Sequence, residues 1–275
     1  MKHLLIPTDF SDNAWNALEY ALFFFRRVRC RIYVVHAVKG RDSKDALAMG
    51  PILEAKAISP KEEMKEWVNR IERLPLNTKH QFEFILKPGN LIGTIRELVD
   101  EHGIDYIIMG TKGASGLKEM TIGSHTGDVI TRVKCPTLVV PEDANPARIK
   151  EIAFPTDFNI GYKKRVLDTL LDVMHIGDSE LQVVHVGNQE DNLSPTQQSN
   201  RIFLEEYLGE DTPFDYHFLT NDDLEQALQT FVESRDIRMI AMIAKNLNFF
   251  QRILFRPTIK SIGFHTHTPF LVLHE

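Results

Sequence analysis

Four glycines, Gly110, Gly113, Gly116 and Gly123, crowd the first part of the stretch MGTKGASGLKEMTIGSHTGDVI (109–130), and Ser124 follows the last of these four. Glycine is needed where the backbone must take a positive φ or where another group must come close to the main chain. A glycine-rich turn that opens a helix does the second for anions, because the first N–H groups of a helix lack intrahelical partners and carry the positive end of its dipole. Ser124 adds a hydroxyl, and Lys112, Ser115 and Lys118 stand in the same loop. The chemistry open to such a set is the holding of phosphate. The stretch contains neither GxxxxGK[ST] nor GxGxxG, so it is neither a P-loop nor a dinucleotide turn. The alternative is a surface loop whose glycines only serve turns.

The elements around the stretch decide between the two. IDYIIMG (104–110) is a continuous apolar run, as expected of a central parallel strand covered on both faces. Val129, Ile130 and Val133 suggest a helix after the loop, and PTLVV (136–140) a last strand. Upstream, LLIP (4–7), RIYVVHAV (31–38) and QFEFILK (81–87) read as strands. Ser11 caps a predicted helix whose buried face is Ala14, Ala17, Leu18, Ala21, Leu22 and Phe25. A second helix runs through Met64, Trp67, Val68 and Ile71. A third carries Leu91, Ile92, Ile95, Leu98 and Val99, and stops at Gly103. Five strands alternating with four helices make a doubly wound α/β domain, which binds ligands at the carboxyl ends of its strands. The glycine stretch leaves such an end.

The chain then repeats itself. HLLIPTDFSDNAWNALEYAL (3–22) returns as EIAFPTDFNIGYKKRVLDTL (151–170), YVVHAV (33–38) as QVVHVG (182–187), and CPTLVVPE (135–142) as TPFLVLHE (268–275). Matches in one order across 275 residues predict a tandem duplication of two domains, 1–143 and 149–275, joined by the polar, proline-containing segment PEDANPARIK (141–150). Each last strand is a short apolar edge, so the strands at 137–140 and 270–273 are expected to pair antiparallel and make an intramolecular pseudo-dimer. In the second half NLNFFQRILF (246–255) replaces the glycine loop, with Asn246, Arg256 and Pro257 where Gly113, Gly123 and Ser124 would stand. Proline has no N–H to give a phosphate. One anion site per chain, in the first half, is the expectation.

The spacing Gly110-x2-Gly113-x9-Gly123-Ser124 resembles the nucleotide-binding motif of the universal stress protein family, and IPTDFSDNA and VVHAV resemble that family's other two signatures. The resemblance implies an adenine-nucleotide alpha-hydrolase-like fold with ATP, with or without magnesium, across the carboxyl edge of the sheet. It implies Pro7, Thr8 and Asp9 along the base and ribose, Ala37 beside the adenine, and Met109 and Gly110 near the ribose. Gly113, Gly123, Ser124 and the backbone of His125 fall on the phosphates. His125 and Thr126 are polar where the family is often apolar. The same edge is implied as a dimer contact, within the chain or between two copies.

Other residues carry less. Asp9 recurs in the second PTDF (155–158), which gives it a structural share as a helix N-terminal carboxylate. His36 and His185 occupy equivalent strand ends and are expected to make core hydrogen bonds. His265 and His267 would share a strand face, with His274, His185 and His217 as further metal ligands, but no cysteine partner or recognisable spacing supports zinc. Net charge is −6, which gives non-specific nucleic-acid or anionic-membrane binding no support. Two cysteines without CxxC spacing, no signal-like start and no bilayer-spanning run point to the cytoplasm. A regulatory ATP-binding protein is the first expectation. A slow ATPase or adenylating enzyme is the second, although SGGxDS and HxGH are absent, and a scaffold with vestigial glycines is the third.

Overall fold

The structure is a computed structural model that describes residues 1–38, 59–75, 77–111, 123–186, 193–219, 224–244 and 267–274. The first half runs β1 (Lys2–Pro7), α1 (Asp12–Phe24), β2 (Cys30–Val38), α2 (Pro60–Glu72), β3 (His80–Pro88), α3 (Leu91–His102), β4 (Tyr106–Gly110), α4 (Ser124–Arg132) and β5 (Thr137–Val140). The second runs β6 (Glu151–Pro155), α5 (Lys164–Gly177), β7 (Glu180–Val186), α6 (Pro195–Leu208), β8 (Phe214–Leu219), α7 (Leu224–Ser234), β9 (Met239–Ile243) and β10 (Phe270–Leu273). The replacement loop at 246–255, with Arg256 and Pro257, lies outside the described residues.

All ten strands form one sheet in the order β3-β2-β1-β4-β5-β10-β9-β6-β7-β8. Each half is a doubly wound parallel unit, and the second is the mirror sequence of the first. The halves meet where β10 runs antiparallel to β5, with Phe270 opposite Val139, Leu271 opposite Leu138 and Val272 opposite Thr137. This is the expected pairing: two short apolar edges cover each other and neither is left open. Because the junction is antiparallel, the carboxyl ends of the two halves' strands face opposite long edges of the sheet.

Local sequence accounts for the elements. Ser11 Oγ accepts from Ala14 N at 3.2 Å and starts α1. Ser59 and Glu62 form a capping box ahead of Pro60, and Ser194 and Gln197 repeat it ahead of Pro195. Gly103 ends α3 at φ 59°. Helix α1 buries Ala14, Ala17, Leu18 and Ala21 as expected, and also Trp15, Tyr20 and Phe24 on other faces, while Leu22 is only partly covered. The extra burial reflects packing that the period along α1 does not reveal: Trp15 meets Trp67 of α2 edge-on at 5.1 Å. The segment 141–150 is not a loose tether. Ala144 and Ile149 are buried, and Asn16 Nδ2 donates towards the carbonyls of Pro141, Glu142 and Ala144. Across the halves, the Tyr106 hydroxyl donates to Asp172 Oδ2 at 2.5 Å and Lys2 pairs with the same carboxylate at 2.9 Å.

Candidate functional site

The site begins at the corner where β1 stops. Thr8 N donates to Val35 O at 2.8 Å, and its side-chain oxygen accepts from Phe10 N at 2.9 Å. His36 Nδ1 lies 2.8 Å from Thr8 O; a carbonyl only accepts, so Nδ1 carries the proton. Phe10 takes φ 62°, uncommon for a bulky residue, and stacks on His36 with ring centres 4.6 Å apart. The second half repeats every part. His185 Nδ1 donates to Thr156 O at 3.0 Å, Phe158 N donates to Thr156 Oγ1 at 3.0 Å, and Phe158 takes φ 54° over His185. Burial drives the His185 pKa down, which keeps the ring neutral. PTDF with VVH is thus a corner-forming device, and the two histidines make the core hydrogen bonds expected of them. Asp9 shares in it: its Oδ1 accepts from Ser11 Oγ at 2.5 Å and from Ser11 N at 3.2 Å.

Beyond the corner the halves differ. In the second, Gln197 Nε2 and Asn200 Nδ2 of α6 donate to the carbonyls of Asp157 and Phe158, each at 2.7 Å, and the Tyr162 hydroxyl meets Thr156 Oγ1 at 2.7 Å. In the first half, Glu62, which matches Gln197 in the capping box, is spent on Ser59, and the corner opens into a cleft of about 420 Å³. Pro7 lines it from the end of β1, Thr8 and Asp9 from the corner that follows, His36, Ala37 and Val38 from β2, and Met109 and Gly110 from β4. Pro60, Leu91, His125 and Thr126 complete it from the first turns of α2, α3 and α4. Ala14 of α1 also lines it.

Seven of the ten residues named from sequence are therefore brought together: Pro7, Thr8, Asp9, Ala37, Met109, Gly110 and His125. Gly123 and Ser124 stand beside them as the N-cap and first residue of α4. Gly113 lies outside the described residues, as do Lys112, Ser115 and Lys118. Val38, Pro60 and Leu91 were not foreseen as lining residues. Their signal was present, since each sits at a strand end or helix start on the ligand-binding edge of a doubly wound sheet.

The two described glycines of the motif serve purposes other than positive φ. Neither Gly110 nor Gly123 is left-handed; Gly123 has φ −58°. A Cβ on Gly110 would lie 2.6 Å from Asn13 Oδ1, so the close approach demanded there is by a buried side chain of α1. The Gly123 N–H donates to Thr111 O at 2.6 Å, which ties together the two ends of the loop. The donors left for a ligand are those of the following residues: α4 starts without a side-chain cap, and a helix's first N–H groups have no partner within it. Thr126, whose polarity departs from the family pattern, is buried and donates to Gly110 O at 2.8 Å, clamping α4 to the end of β4.

His265 lies outside the described residues, and His267 Nδ1 stands 3.5 Å from Asp143. Among the described residues no group of three or more His, Cys, Asp or Glu is placed to hold a metal. Among them, too, no helix is long and apolar enough to cross a membrane.

Comparison with known proteins bears on this geometry. The profile of the universal stress protein family matches residues 1–141. A universal stress protein of Methanocaldococcus jannaschii is 28% identical over 154 residues, covering 50% of this chain and 94% of the relative. One of Bacillus subtilis is 26% identical over 148 residues, covering 50% of this chain and 97% of its own. The crystal structure of a universal stress protein from Archaeoglobus fulgidus matches with a TM-score of 0.65 at 18% identity, over 99% of this chain and 98% of that one, a likeness of fold.

Proposed function

The chain belongs to the universal stress protein family, and from that premise we propose that it is a regulatory protein whose residues 1–143 form a domain binding one adenine nucleotide, ATP in the first instance. The observation that carries this is the cleft itself. Its volume of about 420 Å³ falls in the range of small-molecule sites, and it joins an apolar wall to a helix N-terminus. Ala37, Val38 and Leu91 suit a flat base. Asp9 and the Met109–Gly110 backbone suit a ribose. The Ser124 hydroxyl and the first N–H groups of α4 suit phosphates, with Gly113 contributing from its loop and magnesium accompanying a triphosphate. In this reading Gly123 shapes the loop neck and does not donate.

Residues 149–275 form the second domain, which does not bind nucleotide: Gln197, Asn200 and Tyr162 tie down its corner, and the sequence there replaces the glycines. The nucleotide is a ligand more than a substrate, with hydrolysis slow at most. The buried, unpaired Cys30 and Cys135 suit a reducing cytoplasm.

Mass spectrometry of what the heated protein releases is expected to identify an adenine nucleotide, and calorimetric titration with ATP to saturate at one per chain. Ala37→Phe, which fills the apolar end, and Gly123→Val, which crowds the loop neck, should each weaken ATP about 100-fold or more, the worth of one or two charge-assisted hydrogen bonds. Circular dichroism should stay native. Two equivalent sites, or unchanged affinity in a folded Ala37→Phe, would remove the cleft from the function. A steady-state phosphate-release assay decides between ligand and substrate.

A further inference from the structure

Strand register allows the halves to be compared position by position. Val35 and Val184 are equivalent, each beside the proline that ends its half's first strand. Their partners on the outermost strands are Ile85 and His217. Counting back along the strands, Arg29 corresponds to Asp178, Arg31 to Glu180 and Lys79 to Asp211. The shared capping boxes at Ser59 and Ser194 match Arg70 of α2 with Glu205 of α6. At each of these places the charge is reversed.

The topology gathers these residues at the two far ends of the sheet. At the first-half end, the turns before β2 and β3 are locked together: Asn77 Nδ2 donates to Arg26 O, Lys79 Nζ to Arg27 O at 3.2 Å, and Cys30 N to Lys79 O at 3.1 Å. Arg26, Arg27 and Arg73 add to the cations there. Arg27, Arg29, Arg31, Arg73 and Lys79 form no ion pair with any described residue. At the second-half end the equivalent turns carry Asp178, Glu180, Glu210 and Asp211. Asp178 pairs with Arg148 at 2.6 Å, while Glu180, Glu210 and Asp211 form no ion pair among the described residues. Lys79 and Arg70 also serve the fold, Lys79 through its bond to Arg27 O and Arg70 by stacking on Trp15 at 3.6 Å, but the unpaired charges of Arg27, Arg29, Arg31 and Arg73 stand where the second half folds equally well with the opposite sign or none.

We propose that these two ends dock on each other between successive copies of the chain, joining molecules head to tail. The ends share a backbone plan and oppose each other in charge, and arginine's fork fits a carboxylate in two-point contact. The net charge of −6 opposes indiscriminate association between copies. A contact between two different surfaces of one molecule does not close on itself by a twofold, so the product is an open chain or a ring of several copies. It leaves the nucleotide cleft free, and it does not depend on what that cleft binds.

The test is sedimentation velocity of the full chain at two ionic strengths. At about 0.01 M salt, where charges act over about 30 Å, the average mass should rise with concentration, and at about 1 M, where the range is about 3 Å, it should return to the 31.6 kDa of one chain. The double variants Arg31→Glu/Lys79→Asp and Glu180→Arg/Asp211→Lys should each sediment as single chains at low salt. An equimolar mixture of the two should associate again, because the charges reversed on one variant then face reversed charges of opposite sign on the other. Native circular dichroism and unchanged nucleotide titration identify folded variants. A wild-type chain that stays single at low salt, or double variants that associate like the wild type, would overturn the proposal. So would a mixture of folded variants that fails to recover association.

Discussion

Gly110 shows how a motif residue can be constrained by its own protein. The Asn13 side chain occupies the space where a Cβ would point, 2.6 Å away, and Asn13 is itself buried. Gly110→Ala should therefore cost about 1–3 kcal/mol, the usual range for forcing an extra carbon into a packed site. Urea unfolding measures it. Adding Asn13→Ala to Gly110→Ala should recover part of the loss by vacating the space, and a Gly110→Ala protein as stable as the wild type would show that Asn13 moves aside freely. Asp9 is doubly used in the same way. Its Oδ1 holds Ser11, which in turn starts α1, so Asp9→Ala should lower stability by about 0.5–2 kcal/mol as well as weaken nucleotide binding. Denaturant midpoints taken without nucleotide separate the two effects; an unchanged midpoint would leave Asp9 a ligand residue alone.

At the scale of elements, β10 is the piece on which the single sheet depends. It pairs with β5 on one side and β9 on the other, and all its residues are buried. Each N–H in its middle faces one neighbour or the other, so Val272→Pro removes a ladder bond whichever side it serves. The cost should be about 3 kcal/mol or more, by analogy with proline in other regular elements. Limited proteolysis should then cut the segment 141–150 faster than in the wild type, since Asn16 and the buried Ala144 and Ile149 hold it only while the halves stay together. Equal cleavage rates would mean that the segment is held by the first half alone.

At the scale of the whole molecule, buried histidines make stability depend on pH. His274, just past β10, has its Nε2 buried without a hydrogen-bond partner among the described residues. Burial, assisted by the nearby Lys134 charge, pushes its pKa from 6.5 down to about 4. Below pH 6.5 the unfolded chain takes up a proton that the folded chain refuses, so stability should fall as pH drops from 6.5 and level off near 4. The full effect of this residue is about 3 kcal/mol. His185 and His217 are shifted down by burial as well, and add to the fall with the same sign. Urea midpoints between about pH 7.5, roughly one unit above the ordinary histidine value, and about pH 4.5, roughly two below it, should show the slope, and His274→Phe should flatten it. An unchanged slope in that variant would assign the acid sensitivity to other groups.

Much of this was legible in the order of residues alone. Apolar periods, capping serines and the glycine at 103 specify helices and strands because they act within a few residues, and the repeated PTDF and VVH show that one plan is used twice. The antiparallel meeting of β5 with β10 followed from two short apolar edges that had to be covered. What the sequence could not contain was distance. That the side-chain direction of Gly110 is filled by Asn13 while the residue still lines the cleft, that the Gly123 N–H is taken by Thr111, and that Leu91 and Pro60 wall the cleft all depend on segments brought together from afar. Charge tells the same story: Arg31 and Glu180 are ordinary surface residues along the chain, and only the strand register makes them counterparts at opposite ends of one sheet. Local physics wrote the elements, and long-range packing decided which of their residues face the cleft, which face one another and which remain for a partner.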